Sequence, residues 1–225
     1  MAHPLDNPVW DSLNGSQAQF ALRHGAAARF DPDVTVFAAL ADHAGASAWG
    51  DLATLAEPGA HLVVVDAPFD PPAGWEITGR IAGVQLTGED LKVQDDPEAI
   101  ELGPDDEPEM AALVERTKPG PWRPRTIEMG RYIGVRVDGE LVAMAGERLR
   151  PSGWVEISAV CTDERFRGRG FGSRLIRAVG AGIVERGERP MLHASAENVN
   201  AIRLYESMGF AFRRNREFLR VRTPR

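Results

Sequence analysis

The run Arg167-Gly168-Arg169-Gly170-Phe171-Gly172 alternates three glycines with two arginines just ahead of an apolar, helix-periodic segment. Phosphate binding is the chemistry such a run can perform. A helix start leaves backbone N–H groups without internal partners, its dipole favours negative charge, and glycines keep Cβ atoms out of a ligand's way. Val155 to Thr162 reads as a strand that enters this turn through Asp163-Glu164-Arg165-Phe166, giving strand, glycine-rich turn and helix in sequence. As a plain cap, the same glycines would only tighten the turn. Two rival phosphate sites do not fit. There is no Gly-Lys-Ser/Thr, as a triphosphate loop requires, and the strand follows a hairpin rather than opening a dinucleotide-binding βαβ unit.

The elements around this run have a clear rhythm. Tyr132–Val137, then Asp138-Gly139, then Leu141–Ala145 is the strongest hairpin signal, since Asp-Gly tolerates the positive φ that a tight turn demands. The pattern predicts strands over 99–102, 154–161, 191–194, 210–213 and 218–221, with helices to about Thr117, over 170–186 and over 198–208. In the first half it predicts helices over 7–23 and 49–56, and strands over 34–38, 61–66 and from Trp75 onward. Asp95-Asp96-Pro97 breaks the chain, so the reading divides it into 1–96 and 97–225. The fold class is α/β (α+β): a mixed, mostly antiparallel central sheet flanked by helices, with a smaller α/β unit at the N-terminus.

Charge separates the same two halves. Residues 1–110 carry 4 basic and 20 acidic side chains, whereas 111–225 carry 22 basic and 13 acidic. The basic residues are scattered rather than massed, and no aromatic–basic interleaving appears, so the reading is against nucleic acid. The acidic first half would attract a cationic amine such as a polyamine or an aminoglycoside. No apolar run reaches the length of a membrane span, and no secretory leader is visible, so the expected location is cytoplasmic. His3, His24, His43 and His61 show no metal-ligand spacing, and Cys161 is the single cysteine, so no metal is expected.

Arg167-x-x-Gly170-x-Gly172 resembles the Gln/Arg-x-x-Gly-x-Gly/Ala signature of the GNAT superfamily of acyl-CoA N-acyltransferases. Asn198-x-x-Ala201-x-x-Leu204-Tyr205-x-x-x-Gly209-Phe210 resembles that family's second signature, at the expected distance downstream. Together they cover the core of residues 99–225, and the predicted strand order is also the family's. The whole chain is similar to two-part members near the glycine-N-acyltransferase-like branch, whose first half could be a degenerate relative of the second.

The resemblance implies acetyl-CoA as cosubstrate and an amine as acceptor, in a monomer or homodimer. Backbone groups of Val160 and Thr162, flanking Cys161, would pair with the pantetheine arm. The amides of Arg167, Gly168, Arg169, Gly170, Phe171 and Gly172, with Ser173, would bind the pyrophosphate, and Asn198 would meet the pantetheine. Tyr205 would face the sulfur and protonate the leaving thiolate, while Leu204 beside it packs in the core. The Val160 N–H would polarise the thioester carbonyl.

An amine of ordinary pKa must lose a proton before it attacks. Glu156 lies eleven residues before Arg167, the spacing at which histone-acetylating members carry their base. Strand alternation puts Glu156, Ser158 and Val160 on one face and Ile157, Ala159 and Cys161 on the other. Partial burial would raise the pKa of Glu156 toward a useful value. Cys161 then faces away, which favours direct transfer over a covalent intermediate, and His193 is a fallback base. The segment Lys118 to Arg125, with Trp122, stands where the family places its acceptor-binding loop. The competing reading is an acyl-CoA-binding regulatory protein without catalysis.

Overall fold

The computed structural model describes residues 3–225. Pro8–Asn14 forms α1, capped by the Asn7 side chain, which accepts from the Trp10 N–H. The helix expected over 7–23 stops there, because Gly15 N donates back to the Ser12 carbonyl and closes the last turn. The chain then forms an antiparallel hairpin of β1 (Ala21–His24) and β2 (Ala27–Phe30). Its turn is held from afar: Asp51 accepts from the Ala26 N–H at 2.8 Å and packs where a Cβ on Gly25 would stand. Nothing within twenty residues of the hairpin signals that contact.

There follow β3 (Phe37–Leu40), α2 (Ala48–Ala53), β4 (His61–Val65) and the long β5 (Glu76–Thr87). The second half supplies β6 (Ile100–Leu102), α3 (Glu107–Thr117) and the hairpin β7 (Tyr132–Val137) and β8 (Glu140–Glu147). Its Asp138-Gly139 turn has φ of 51° and 83°, as the sequence requires. Then come β9 (Trp154–Thr162), α4 (Phe171–Glu185), β10 (Arg189–Ser195), α5 (Val199–Met208) and β11 (Ala211–Arg222). The last is one continuous strand where two short ones were expected.

All eleven strands join one sheet in the order β1-β2-β3-β4-β11-β5-β10-β9-β8-β7-β6. Among the described residues only β3/β4 and β9/β10 pair in parallel, so the sheet is mixed and mostly antiparallel. The division at residue 96 therefore divides the chain but not the sheet: β5, from the first half, pairs with both β10 and β11 of the second. Helix α4 buries Leu175, Ile176, Val179 and Ile183 against Val155 and Ile157 of β9. Helix α3 buries Met110, Leu113 and Val114 against Tyr132, Met144 and Cys161, completing a helix–sheet–helix sandwich.

Two irregularities of β9 make room for a site. It pairs with β10 only at Trp154–Arg189, Val155–Pro190 and Glu156–Met191, and beyond that pair the strands part. On its other edge, the β8 register steps from Gly146–Ser158 to Met144–Cys161, so Ala159 and Val160 together oppose one residue. This is a β-bulge, and Ala159 takes φ of 52° to make it. The bulge corrects the expected faces. Cys161 joins Glu156 and Ser158 on the α3 side, while Val160 packs with Ile157 on the α4 side.

Candidate active site

A cleft of about 960 Å³ opens where β9 and β10 part. Val160, Cys161, Thr162 and Arg167 line one flank, and His193 to Ser195, Asn198 and Tyr205 line the other. It continues across the sheet to Phe37 of β3, Val63 of β4 and Phe218 and Arg220 of β11, so the first half builds its far wall.

The glycine-rich turn stands at one end. Gly168 and Gly170 take φ of 79° and 81°, and a Cβ on either would meet nothing, so they serve backbone shape and open access. The first helical bond of α4 is donated by Arg174 to the Gly170 carbonyl at 3.1 Å. Among the described residues, the backbone N–H groups from Gly168 to Ser173 donate to no acceptor outside the helix, and the first-turn amides have none within it. Successive free amides at the start of a 15-residue helix form a concave donor set matched to a phosphate or diphosphate.

On the opposite flank the Asn198 side chain caps α5, its Oδ1 accepting from Ala201 N at 3.1 Å. Tyr205, two turns along, packs its ring at 6.0 Å from Phe210, and its hydroxyl has no hydrogen-bond partner among the described residues. Burial pushes the Tyr205 phenol above its ordinary pKa. Leu204, expected in the core, is instead exposed. The helix turns Tyr205, not its neighbour, toward the sheet.

Glu156 differs most from expectation. It is completely buried, at the last paired position before the strands part, and has no face on the cleft. Arg148 holds it by a bidentate pair at 2.7 and 2.8 Å, and His193 Nδ1 lies 2.7 Å from Oε1. Desolvation, the largest influence, would raise its pKa as expected. The charge and hydrogen bonds of Arg148, with those of His193, outweigh it and hold the carboxyl well below the usual range. His193 Nε2 is 3.0 Å from Gln85 Nε2, and Gln85 Oε1 accepts from Arg213, so the amide group donates to the imidazole. That network assigns the proton to Nδ1, which donates to Glu156. Neither Arg148 nor Gln85 was singled out in the sequence; each becomes visible only through its partner.

Cys161 borders the cleft, but burial pushes its thiol up to about 11. The thiolate is the nucleophile, and at neutral pH almost none exists here. Cys161→Ala is expected to keep kcat within about twofold of the parent; loss of turnover in a thiol-release assay would show a covalent step. The loop after α3 lines the cleft with Lys118, Pro119, Gly120, Pro121 and Arg123. Trp122 turns away, its indole donating to Glu107 and packing edge-on against Tyr132.

Comparison with known proteins places this geometry. A family model described as FR47-like protein matches residues 132–219, which span the hairpin, the glycine-rich turn and both flanks of the cleft. A crystal structure from Novosphingobium aromaticivorans DSM 12444, assigned to the GNAT family of acetyltransferases, superposes with a TM-score of 0.91 at 42% identity over 100% of both chains. The chain belongs to the GNAT family. The GNAT fold is shared more distantly with a GCN5-related N-acetyltransferase from Kribbella flavida, at 18% identity and a TM-score of 0.60 over 95% of each chain. A spermine/spermidine N(1)-acetyltransferase of Bacillus subtilis strain 168 is 30% identical over 95 residues, 38% of this GNAT chain, which spans 62% of that relative's length. Among the described residues, no group of three or more His, Cys, Asp and Glu could hold a metal, and no helix is long and apolar enough to cross a membrane.

Proposed function

We propose that this GNAT protein moves an acetyl group from acetyl-CoA to a primary amine by direct transfer within one ternary complex. One observation carries the reading: a row of free backbone amides, Gly168 to Ser173, stands at the end of a cleft that leads between parted strands to an unpartnered tyrosine hydroxyl. The amides, with Arg167 and Arg169, hold the diphosphate of coenzyme A. Residues 160–162 and Asn198 line the pantetheine arm, whose amides can pair with the strand edge that β10 leaves open.

The residues then divide the chemistry. The Val160 N–H lies at the bulge and supports the negative charge that develops on the thioester oxygen; such a donor lowers the barrier by roughly 3 kcal/mol. Tyr205 keeps its proton because burial raises its pKa, and gives it to the departing thiolate. The amine's proton passes to His193, with Glu156 behind it to stabilise the imidazolium, as a buried carboxylate does for a catalytic imidazole. For that, the Gln85 contact at Nε2 must open as acceptor binds. Glu156 is thus a positioning residue whose low pKa keeps it charged. Residues 97–225 form the catalytic unit, and 1–96 furnish the acceptor wall.

Thiol release from acetyl-CoA with a panel of primary amines tests the reading, and coenzyme A binding without release with any of them would favour the regulatory alternative. Gly170→Val supplies the companion test. A β-branched residue cannot hold φ of 81° without strain, so the turn must reshape and the amides disperse. The KM for acetyl-CoA should rise roughly 10- to 100-fold, the loss of one or more charge-assisted bonds. An unchanged KM would place the diphosphate elsewhere.

A further inference from the structure

The cleft's charge is one-sided. Lys118, Arg123, Arg148, Arg167 and Arg220 line it, with His61 and His193, and among the described residues no aspartate or glutamate does. This is so although residues 1–110, whose strands form the far wall, carry 20 acidic side chains against 4 basic. Those acids are engaged elsewhere: Asp66 pairs with Arg216, Asp70 with Arg80 and Glu76 with Arg222, and none of the three lines the cleft.

The cations also have donors to spare. Arg148 is a built group: its side chain is 11% exposed, its guanidinium stacks 4.8 Å above the Phe37 ring, and Glu156 fixes Nε and Nη2. Its Nη1 donates to nothing among the described residues and lies beside Gly120, which also lines the cleft. Lys118, Arg123 and Arg220 form no ion pair among the described residues either. Arg220 stands beside Val63 and Gly79 in the sheet, and two strands, β5 and β10, separate β11 from β9. At a strand spacing of about 4.8 Å, that puts β11 roughly 14 Å from the strand that leads to the phosphate turn. The diphosphate has its own donors at that turn, so the far cations remain for another ligand.

A polyamine in this cleft would bring positive charge against uncompensated arginines with no carboxylate to receive it, a costly burial. An acid group would instead meet planar guanidinium donors suited to it. We propose that the acceptor is an amine that also carries a carboxylate or a phosphate, its acid group held by Arg220, Arg123 and the free edge of Arg148. This rests on the acetyl-transfer reading, and it reverses the preference for cationic amines that the acidic first half suggested.

The test uses the full chain, acetyl-CoA and pairs of amines that differ by the acid group: phenylalanine with phenethylamine, lysine with cadaverine, phosphoethanolamine with ethanolamine, and spermidine alone. In at least one pair the acidic member should show a kcat/KM higher by about tenfold or more, the value of a charge-assisted contact. Arg220→Gln should bring that ratio to within about threefold, and Arg220→Lys should restore part of it, whereas a merely structural role would slow both members alike. Faster turnover of spermidine or of the amines without the acid group overturns the proposal, as does a ratio that Arg220→Gln leaves unchanged. So does a marked preference for malonyl-CoA over acetyl-CoA that Arg220→Gln abolishes, because the cations would then serve the donor. Failure of the underlying reading looks different: no amine of any pair would then be acetylated, whether or not coenzyme A binds by calorimetry, and the proposal would fall with it.

Discussion

Tyr205→Phe is expected to lower kcat by about 10²- to 10³-fold while leaving the KM for acetyl-CoA near its parent value. The change removes one oxygen that makes no hydrogen bond among the described residues, so neither packing nor the helix should suffer. What disappears is the proton offered to the thiolate. The pH profile supplies a second readout. The acid must stay protonated, and burial raises its pKa, so the alkaline fall in the parent's kcat should come above the ordinary tyrosine range. In the phenylalanine variant that limb should vanish. A loss of less than about fivefold, or a limb that persists, would remove Tyr205 from the chemistry.

Glu156→Ala is expected to cost about 3–5 kcal/mol of stability, because it leaves Arg148 charged and largely buried against Phe37 without its partner. For a chain of this size that corresponds to a fall in Tm of roughly 6–20 °C by calorimetry. The pH dependence follows from the sign of the shift. The folded state holds the Glu156 carboxyl below its ordinary pKa, so its contribution is fully present above that ordinary value. It is lost as pH falls from there through the depressed folded value. The parent should therefore lose stability below about pH 4 more steeply than Glu156→Gln, which has no proton to bind. Equal acid slopes in the two proteins, with a loss under about 1 kcal/mol, would mean that the pair adds little.

The two expected effects separate chemistry from positioning. In the proposed mechanism Tyr205 would act on the reacting atoms, whereas Glu156 would act through the side chains it holds, Arg148 and His193. A sequence can mark Tyr205 by its place in a signature and Glu156 by its spacing from one, and still misjudge how the second behaves.

What the sequence determined by itself was everything encoded within a few residues. Glycines at 168 and 170 need positive φ, Asn198 caps its own helix, and Asp138-Gly139 makes its own turn, since each requirement is met by neighbours along the chain. The shape of the glycine-rich turn and the flank with Asn198 and Tyr205 were legible for that reason, as was the α4–β10–α5–β11 order. Tertiary structure decided the rest. The bulge at Ala159 carries Cys161 to the face of Glu156 with no glycine to announce it. β5 lies between β10 and β11 because hydrogen-bonding edges choose partners in space, so the first half completes a sheet that the signatures assign to the second. The state of Glu156 turned on Arg148 and His193, eight and thirty-seven residues away, whose charges reverse what burial alone would do. Local backbone rules can be read in order along a chain; Coulomb interactions and strand pairing depend on distances that exist only after folding.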